Sequence, residues 1–334
     1  MVNKNSQDYS DFPRNGPTSY SNNLHSHESP EAKYVQYCGG TLISPEWVLT
    51  AAHCVKQRET NARKPNMVVM VGQTDLRVMR QPSEEWQQDI YTMKEVIPHP
   101  KFEWESVNND IALIRLNKPV DVETVDIGFS CLPNRTYDAT PGTECVAVGW
   151  GKVSKYNMQR ASNRLRQATL PLVDKQTCKD AFNFTITKNQ MCAGYSDGRS
   201  DSCDGDSGGP LLCLTQTPTG QRWVLYGITS FGPNDGCGIA GKYGVYTKVN
   251  NYSNWIMEKI RTIDLREKDG QKEKSQRRKR RRHNQKKKRL RVTGRERTES
   301  YPARNWAQIT QQFDEKDREQ LLLDPELKEI VADL

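Results

Sequence analysis

Between residues 34 and 263 the chain repeats one pattern: a short apolar run, then a break at Gly, Pro, Asn or Asp. The runs are WVLTA from Trp47, MVVMVG from Met67, DIALIRL from Asp110, CVAVGW from Cys145, PLLCL from Pro210, WVLYGITSF from Trp223 and GVYTKV from Gly244. Short runs rich in β-branched and aromatic residues, punctuated by turn formers, predict an all-β barrel or sandwich. The rhythm changes at NYSNWIMEKIRTI, where Tyr252, Trp255, Ile256, Ile260 and Ile263 recur at helical spacing. That spacing predicts a short amphipathic helix closing the domain near Ile263. Residues 1–33 are polar and patternless, the composition of a disordered segment. Beyond the helix the pattern predicts a basic linker over 265–299 and a tail over 300–334, with a short helix around Leu321–Leu323 and Ile330. No internal repeat occurs, and no 18-residue apolar run suggests a membrane span.

Composition changes this picture in two places. The formal net charge is +8, yet RRKRRRHNQKKKRLR, residues 277–291, alone holds 11 Lys/Arg and no acid. The rest of the chain is slightly acidic, which excludes nucleic-acid binding through an overall positive field. The run itself has three readings: a solvated arm, a nuclear-import signal, or a patch for heparin-like polyanions. The nine cysteines all lie between residues 38 and 237, with no CxxC pair and no zinc-ligand spacing, so no metal or cofactor is expected. A disulfide framework and an oxidising, extracellular setting fit them better. Three Asn-x-Ser/Thr triplets, at Asn134, Asn183 and Asn251, are compatible with secretion. Against it, residues 1–33 contain no apolar leader. For an extracellular protein, polyanion binding by 277–291 is more coherent than nuclear import.

The densest chemistry lies in DSCDGDSGGPLL, Asp201–Leu212, which sets Ser207 among three glycines, three acids and a proline. Such residues favour a tight loop whose N–H groups converge beside an exposed hydroxyl. Two other runs supply what a nucleophilic Ser207 needs: WVLTAAHC carries His53 at the end of one strand, and NNDIALIRL carries Asp110 just before another. Serine, imidazole and carboxylate are the nucleophile, general base and orienting acid of acyl transfer.

With VLTAAHC, DIALIRL and GDSGGPL in that order, joined by CGGTLIS, VAVGWG, LRQATLPLV, QMCAGY and GVYTKVNNYSNWI, the sequence resembles the chymotrypsin/trypsin family of serine proteases over about two thirds of its length. The resemblance implies two six-stranded Greek-key β-barrels with a C-terminal helix over 34–264, and a catalytic cleft between the barrels. It implies that His53, Asp110 and Ser207 form the triad and that the N–H groups of Gly205 and Ser207 form the oxyanion hole. Asp201 would lie at the floor of the S1 pocket, with Ser202 beside it, Gly232 and Gly244 along its walls and Ser230 bonded to the catalytic acid. A carboxylate there selects Arg or Lys before the cleaved bond. Asp204 falls at the rim, and Phe231 stands where the family commonly has Trp. His99 is expected to be structural. The family pairing joins Cys38 to Cys54, Cys145 to Cys213, Cys178 to Cys192 and Cys203 to Cys237, and leaves Cys131 to tie an upstream region. A monomer acting on protein or peptide substrates is expected, or alternatively a non-catalytic homologue that binds through the same cleft.

That alternative comes from the N-terminus. In the family an IVGG-like segment delivers a new amino group to the acid before the nucleophile, here Asp206. Residues 1–33 hold no such segment and no counterpart of the usual first strand, so the natural N-terminal part is expected to lie outside this sequence. Asp206 is then expected to swing outward and spoil the oxyanion hole, unless Arg166 approaches and replaces the amino group.

Overall fold

The computed structural model describes residues 2–3, 34–64, 66–80, 89–122, 127–135, 138–153, 161–217 and 220–292. The tail helix expected around Leu321–Leu323 and Ile330 lies outside them, as does all of 1–33 except Val2 and Asn3. The chain divides into two compact units, Met1–Thr262 and Ile263–Leu334.

Unit 1 is built of antiparallel strands in two halves, the two-barrel architecture that the strand rhythm and the resemblance imply. The first half contains β1 (Val2–Asn3), β2 (Val35–Gln36), β3 (Thr41–Ser44), β4 (Trp47–Thr50), β5 (Met67–Met70), β6 (Ile90–Tyr91), β7 (Met93–Pro98) and β8 (Ala112–Leu116). They form two four-stranded sheets, in the orders β2-β1-β5-β6 and β3-β4-β8-β7. The second half contains β9 (Glu144–Gly149), β10 (Arg166–Pro171), β11 (Gln190–Ala193), β12 (Pro210–Thr217), β13 (Gly220–Phe231) and β14 (Gly244–Lys248), in one sheet of order β10-β9-β12-β13-β14-β11. Strands β4 and β8 are buried at every residue. This explains why WVL and ALI read as continuous apolar runs with no polar alternation, while the buried Arg115 that follows is paired with Glu46.

Val2–Asn3 departs from the expectation of a patternless N-terminus: it pairs with both β2 and β5, Val2 opposite Gln36 and Val68. These two residues supply a strand where none was foreseen.

Helix α1 (Ala52–Val55) is a single turn following β4, and α2 (Lys175–Asp180) is capped by Asp174, whose carboxylate accepts from the N–H groups of Gln176 and Thr177, both at 3.0 Å. Helix α3 runs from Ser253 to Val292, 40 residues. Tyr252 and Ile256 are buried at its start, as the apolar spacing requires. The helix does not end near Ile263, although the two compact units divide there: the linker residues up to Val292, including the whole basic run 277–291, continue as helix. Composition explains the difference. Residues 264–292 are mostly Lys, Arg, Glu and Gln, strong helix formers, with Gly270 the single glycine and no proline. Among the described residues, no helix is long and apolar enough to cross a membrane.

Candidate active site

His53 occupies the single turn α1 at the end of β4, and Asp110 immediately precedes β8, the hydrogen-bonded neighbour of β4. Strand pairing therefore brings together two residues far apart in the chain. His53 Nδ1 lies 2.7 Å from Asp110 Oδ2, and the His53 backbone N–H donates to Asp110 Oδ1 at 2.9 Å. Ser230 Oγ donates to Oδ2 at 2.6 Å, and Thr247 Oγ1 donates to the Asp110 carbonyl at 2.8 Å. Asp110 is completely buried, and His53 is 5% exposed. With Nδ1 against a carboxylate oxygen, a neutral imidazole carries its proton there and keeps a lone pair on Nε2.

Ser207 is buried beside this pair. Its carbonyl accepts from Gly39 N at 2.7 Å and lies 3.6 Å from Cys54 Sγ, which is itself 3.7 Å from His53 Nε2. No hydrogen bond of Ser207 Oγ is formed among the described residues, so the acid–imidazole half of the expected relay is closed and the hydroxyl half is open. Catalytic contacts of this kind often tighten only when substrate is present.

The nucleophile loop commits its donors unequally. Asp206 N donates to Cys203 O, Gly208 N to Thr229 O and Gly209 N to Asp206 O. The N–H groups of Gly205 and Ser207 make no hydrogen bond among the described residues, which leaves the two expected oxyanion donors uncommitted. Gly205 has φ +97°, a conformation that a side chain would strain, and a Cβ there would lie 3.2 Å from Gly151 Cα. The Gly205 carbonyl is held from outside the loop by Gln36 Nε2 at 2.8 Å.

Asp206 does not swing outward. Its carboxylate points inward, accepting from Gly151 N at 2.7 Å and Cys203 N at 2.9 Å. Two backbone dipoles hold it without an ion pair among the described residues, and burial pushes its pKa up. Arg166 is not its partner: that side chain is exposed on β10 and donates to Ser162 Oγ at 3.3 Å. Inspection of the sequence missed both Gln36 and the Gly151 donor, because neither lies in a recognisable motif.

Asp201 is partly buried. Oδ2 accepts from Gly238 N at 2.9 Å, while Oδ1 has no hydrogen-bond partner among the described residues. Burial raises its pKa to about 6. A Cβ at Gly244 would come within 2.9 Å of that orphan oxygen, whereas a Cβ at Gly232 would meet open space. Ser202 Oγ lies 2.8 Å from the hydroxyl of the fully buried Tyr246. Asp204 is paired with Lys152 Nζ at 2.8 Å, which blunts the charge expected at the rim. The Phe231 ring sits 5.7 Å from that of Phe184. His99 packs on Tyr252 and Trp255, with ring centroids 5.3 and 5.0 Å away, and takes no part in the site.

Disulfides join Cys38 to Cys54, Cys145 to Cys213, Cys178 to Cys192 and Cys203 to Cys237, leaving Cys131 as the free cysteine. Cys38, His53 and Cys54 form a compact group of ligand-type atoms, but both sulfurs are consumed by their disulfide.

A family model described as Trypsin matches residues 10–256. The chain belongs to the trypsin family. The match begins at Ser10, ahead of the Tyr34 boundary drawn from the motifs. Among curated relatives, Trypsin-3 of Salmo salar is 39% identical over 224 residues, covering 66% of this chain and 81% of the relative. Clotting factor C of Tachypleus tridentatus is 37% identical over 238 residues, covering 67% of this chain and 22% of the relative. Serine protease 56 of Mus musculus is 37% identical over 224 residues, covering 67% and 34%. The matched region of this chain thus spans about a fifth of clotting factor C and a third of serine protease 56.

Proposed function

We propose that this trypsin-family chain is a serine endopeptidase that hydrolyses peptide bonds after Arg or Lys. The observation that carries the specificity is Asp201: a partly buried carboxylate with one oxygen unpartnered among the described residues, beside a glycine that leaves room for a substrate side chain. Leaving a buried charged oxygen unsatisfied is costly, and a guanidinium or ammonium group satisfies it.

In the proposed reaction Ser207 Oγ attacks the scissile carbonyl while His53 Nε2 takes its proton. The imidazolium is stabilised by Asp110. Charge developing on the carbonyl oxygen is received by the Gly205 and Ser207 N–H groups, and one such donor is typically worth about 100- to 1,000-fold in rate. His53 then protonates the leaving amine. Water, activated by the same imidazole, releases the acyl group from Ser207. Protein or peptide chains with Arg or Lys before the cleaved bond are the substrates.

Incubation of the disulfide-bonded chain with a fluorophosphonate probe and with Arg, Lys, Phe and Glu esters tests this reading. Labelling at Ser207 with turnover of only the Arg and Lys esters is expected. A folded chain that binds benzamidine yet leaves the probe unreacted would overturn it in favour of a non-catalytic binding module.

For partners other than substrate, we infer that the basic run binds sulfated polyanions. Residues 277–282 are six consecutive exposed cations, RRKRRR, on α3. Steps of about 100° per residue distribute them around the whole helix. No acid interrupts them, and the disulfide framework favours an extracellular polysaccharide over nucleic acid. Retention on a heparin column that falls steeply with salt is expected. Replacing all six with Gln should markedly lower the salt concentration needed for elution, and unchanged retention would refute it.

A further inference from the structure

We infer that Asn183 is an N-glycosylation acceptor, and that the fold selects it over Asn251. Both asparagines are exposed and both begin an Asn-x-Ser/Thr triplet without proline. Their surroundings separate them. Asn251 lies in the 3-10 turn Val249–Tyr252 that leads into α3. Its Nδ2 donates twice, to Lys188 O at 3.0 Å and to Asn189 Oδ1 at 3.2 Å. A glycosylated amide retains one N–H, so a sugar there forfeits one of these bonds and must fit against the 188–189 backbone. Asn183 has no side-chain hydrogen bond among the described residues.

Its position also suits a large hydrophilic group. Asn183, Phe184 and Thr185 are three consecutive exposed residues between buried Phe182 and buried Ile186. They bulge from the loop between α2 and β11, which the Cys178–Cys192 disulfide closes. Loops of this kind tolerate insertion and modification because no ladder hydrogen bond is lost. Phe184, 49% exposed, is the apolar surface that the first sugars would cover. In the transfer, Asn183 Nδ2 bonds to C1 of an oligosaccharide carried on a polyisoprenyl diphosphate. The C1–O bond to the diphosphate breaks, and the lipid diphosphate and one amide proton leave. Four disulfides place the chain where such donors act. The third triplet, at Asn134, ends in Thr136, outside the described residues.

The test is expression of the full chain behind a secretory leader in animal cells, then peptide mapping after glycosidase release in heavy-oxygen water. Both secreted and retained protein are mapped, because transfer precedes exit. Asn183 converted to labelled Asp, with Asn251 unchanged, is the expected result. Asn183→Gln and Thr185→Ala should each lose the glycosidase-sensitive mobility shift, and Thr185→Ser should keep it. An unmodified Asn183, or a glycan on Asn251 in its place, overturns the inference. This readout does not depend on protease activity, so an inactive chain bearing the glycan would refute only the function proposed above.

Discussion

Gln36 Nε2 donates to the Gly205 carbonyl at 2.8 Å, a bond between residues 169 apart in the chain. It fixes, from the first half of the fold, the peptide group next to Gly205 N–H, a proposed oxyanion donor. Among the described residues Asp206 has backbone donors only, so this amide is a side-chain restraint on the loop beside the backbone bonds of Ser207 and Gly208. Gln36→Leu is expected to lower kcat about tenfold on an Arg ester with little change in KM, because substrate binding in the S1 pocket does not use the loop peptide. Gln36→Glu, of equal size but without a donor, should show the same loss. A peptide aldehyde, whose adduct uses the oxyanion hole, should bind more weakly to both variants, while benzamidine should bind as to the parent. Equal weakening of both ligands would show that Gln36 merely supports the fold.

The Ser230–Asp110 bond predicts a separate defect. Ser230 is 2% exposed and its hydroxyl is one of the donors to Asp110 Oδ2, the oxygen that faces His53. Ser230→Ala leaves a buried carboxylate one donor short, a loss of about 1–3 kcal/mol. The expected outcome is a lower melting temperature together with a fall in kcat of about tenfold or more, read by calorimetry and ester hydrolysis on the same preparation.

These contacts mark the limit of what the sequence discloses. His53 and Asp110 were legible because each sits at the edge of an unmistakable apolar run, and β4–β8 pairing does the rest. Asp201 was named only through the family resemblance, and nothing in the sequence disclosed its unpaired oxygen. Gln36, Gly151 and Lys152 were not legible: their partners are loop atoms distant in the chain, and no local pattern encodes such closure. The strand at Val2–Asn3 is too short to produce an alternation. The extension of helix α3 beyond Ile263 escaped for the opposite reason. Its charged length presents no apolar stripe, so periodicity reads it as linker, although propensity summed over residues 264–285 favours helix.

Asp201 predicts a pH dependence of stability. Its folded pKa, about 6, lies above its ordinary 3.8, so between these values the fold holds a proton that the unfolded chain has released. The stability gained is full below about pH 4 and is lost as pH rises through 6, about 3 kcal/mol in all. Asp201→Asn should therefore melt higher than the parent at pH 7.5 and at the same temperature near pH 4. Asp206 titrates in the same direction but is present in both proteins, so the comparison removes it to first order. In the opposite sense, benzamidine affinity should fall about tenfold per pH unit below 6, since the cation needs the ionised acid. A flat affinity between pH 5 and 7.5, measured on a Ser207→Ala protein by calorimetry, would contradict the assignment of Asp201 to the cation site.

The Cys203–Cys237 bridge makes the last prediction, and it links stability to specificity. The bridge spans 34 residues and joins the segment bearing Asp201 and Ser202 to the loop bearing Gly238. Gly238 supplies, through its N–H, the hydrogen bond to Asp201 Oδ2. Chain-entropy arguments give such a closure about 3–4 kcal/mol through the unfolded state. The double change Cys203→Ser and Cys237→Ser should therefore lower the denaturation midpoint substantially. If the bridge acted on the unfolded chain alone, benzamidine would bind the surviving folded fraction as tightly as before. The Gly238–Asp201 bond argues otherwise, because that donor is positioned by the neighbouring cystine. Weakened benzamidine binding, with unaltered fluorophosphonate reactivity at Ser207, is the expected signature of a loosened pocket beside an intact nucleophile.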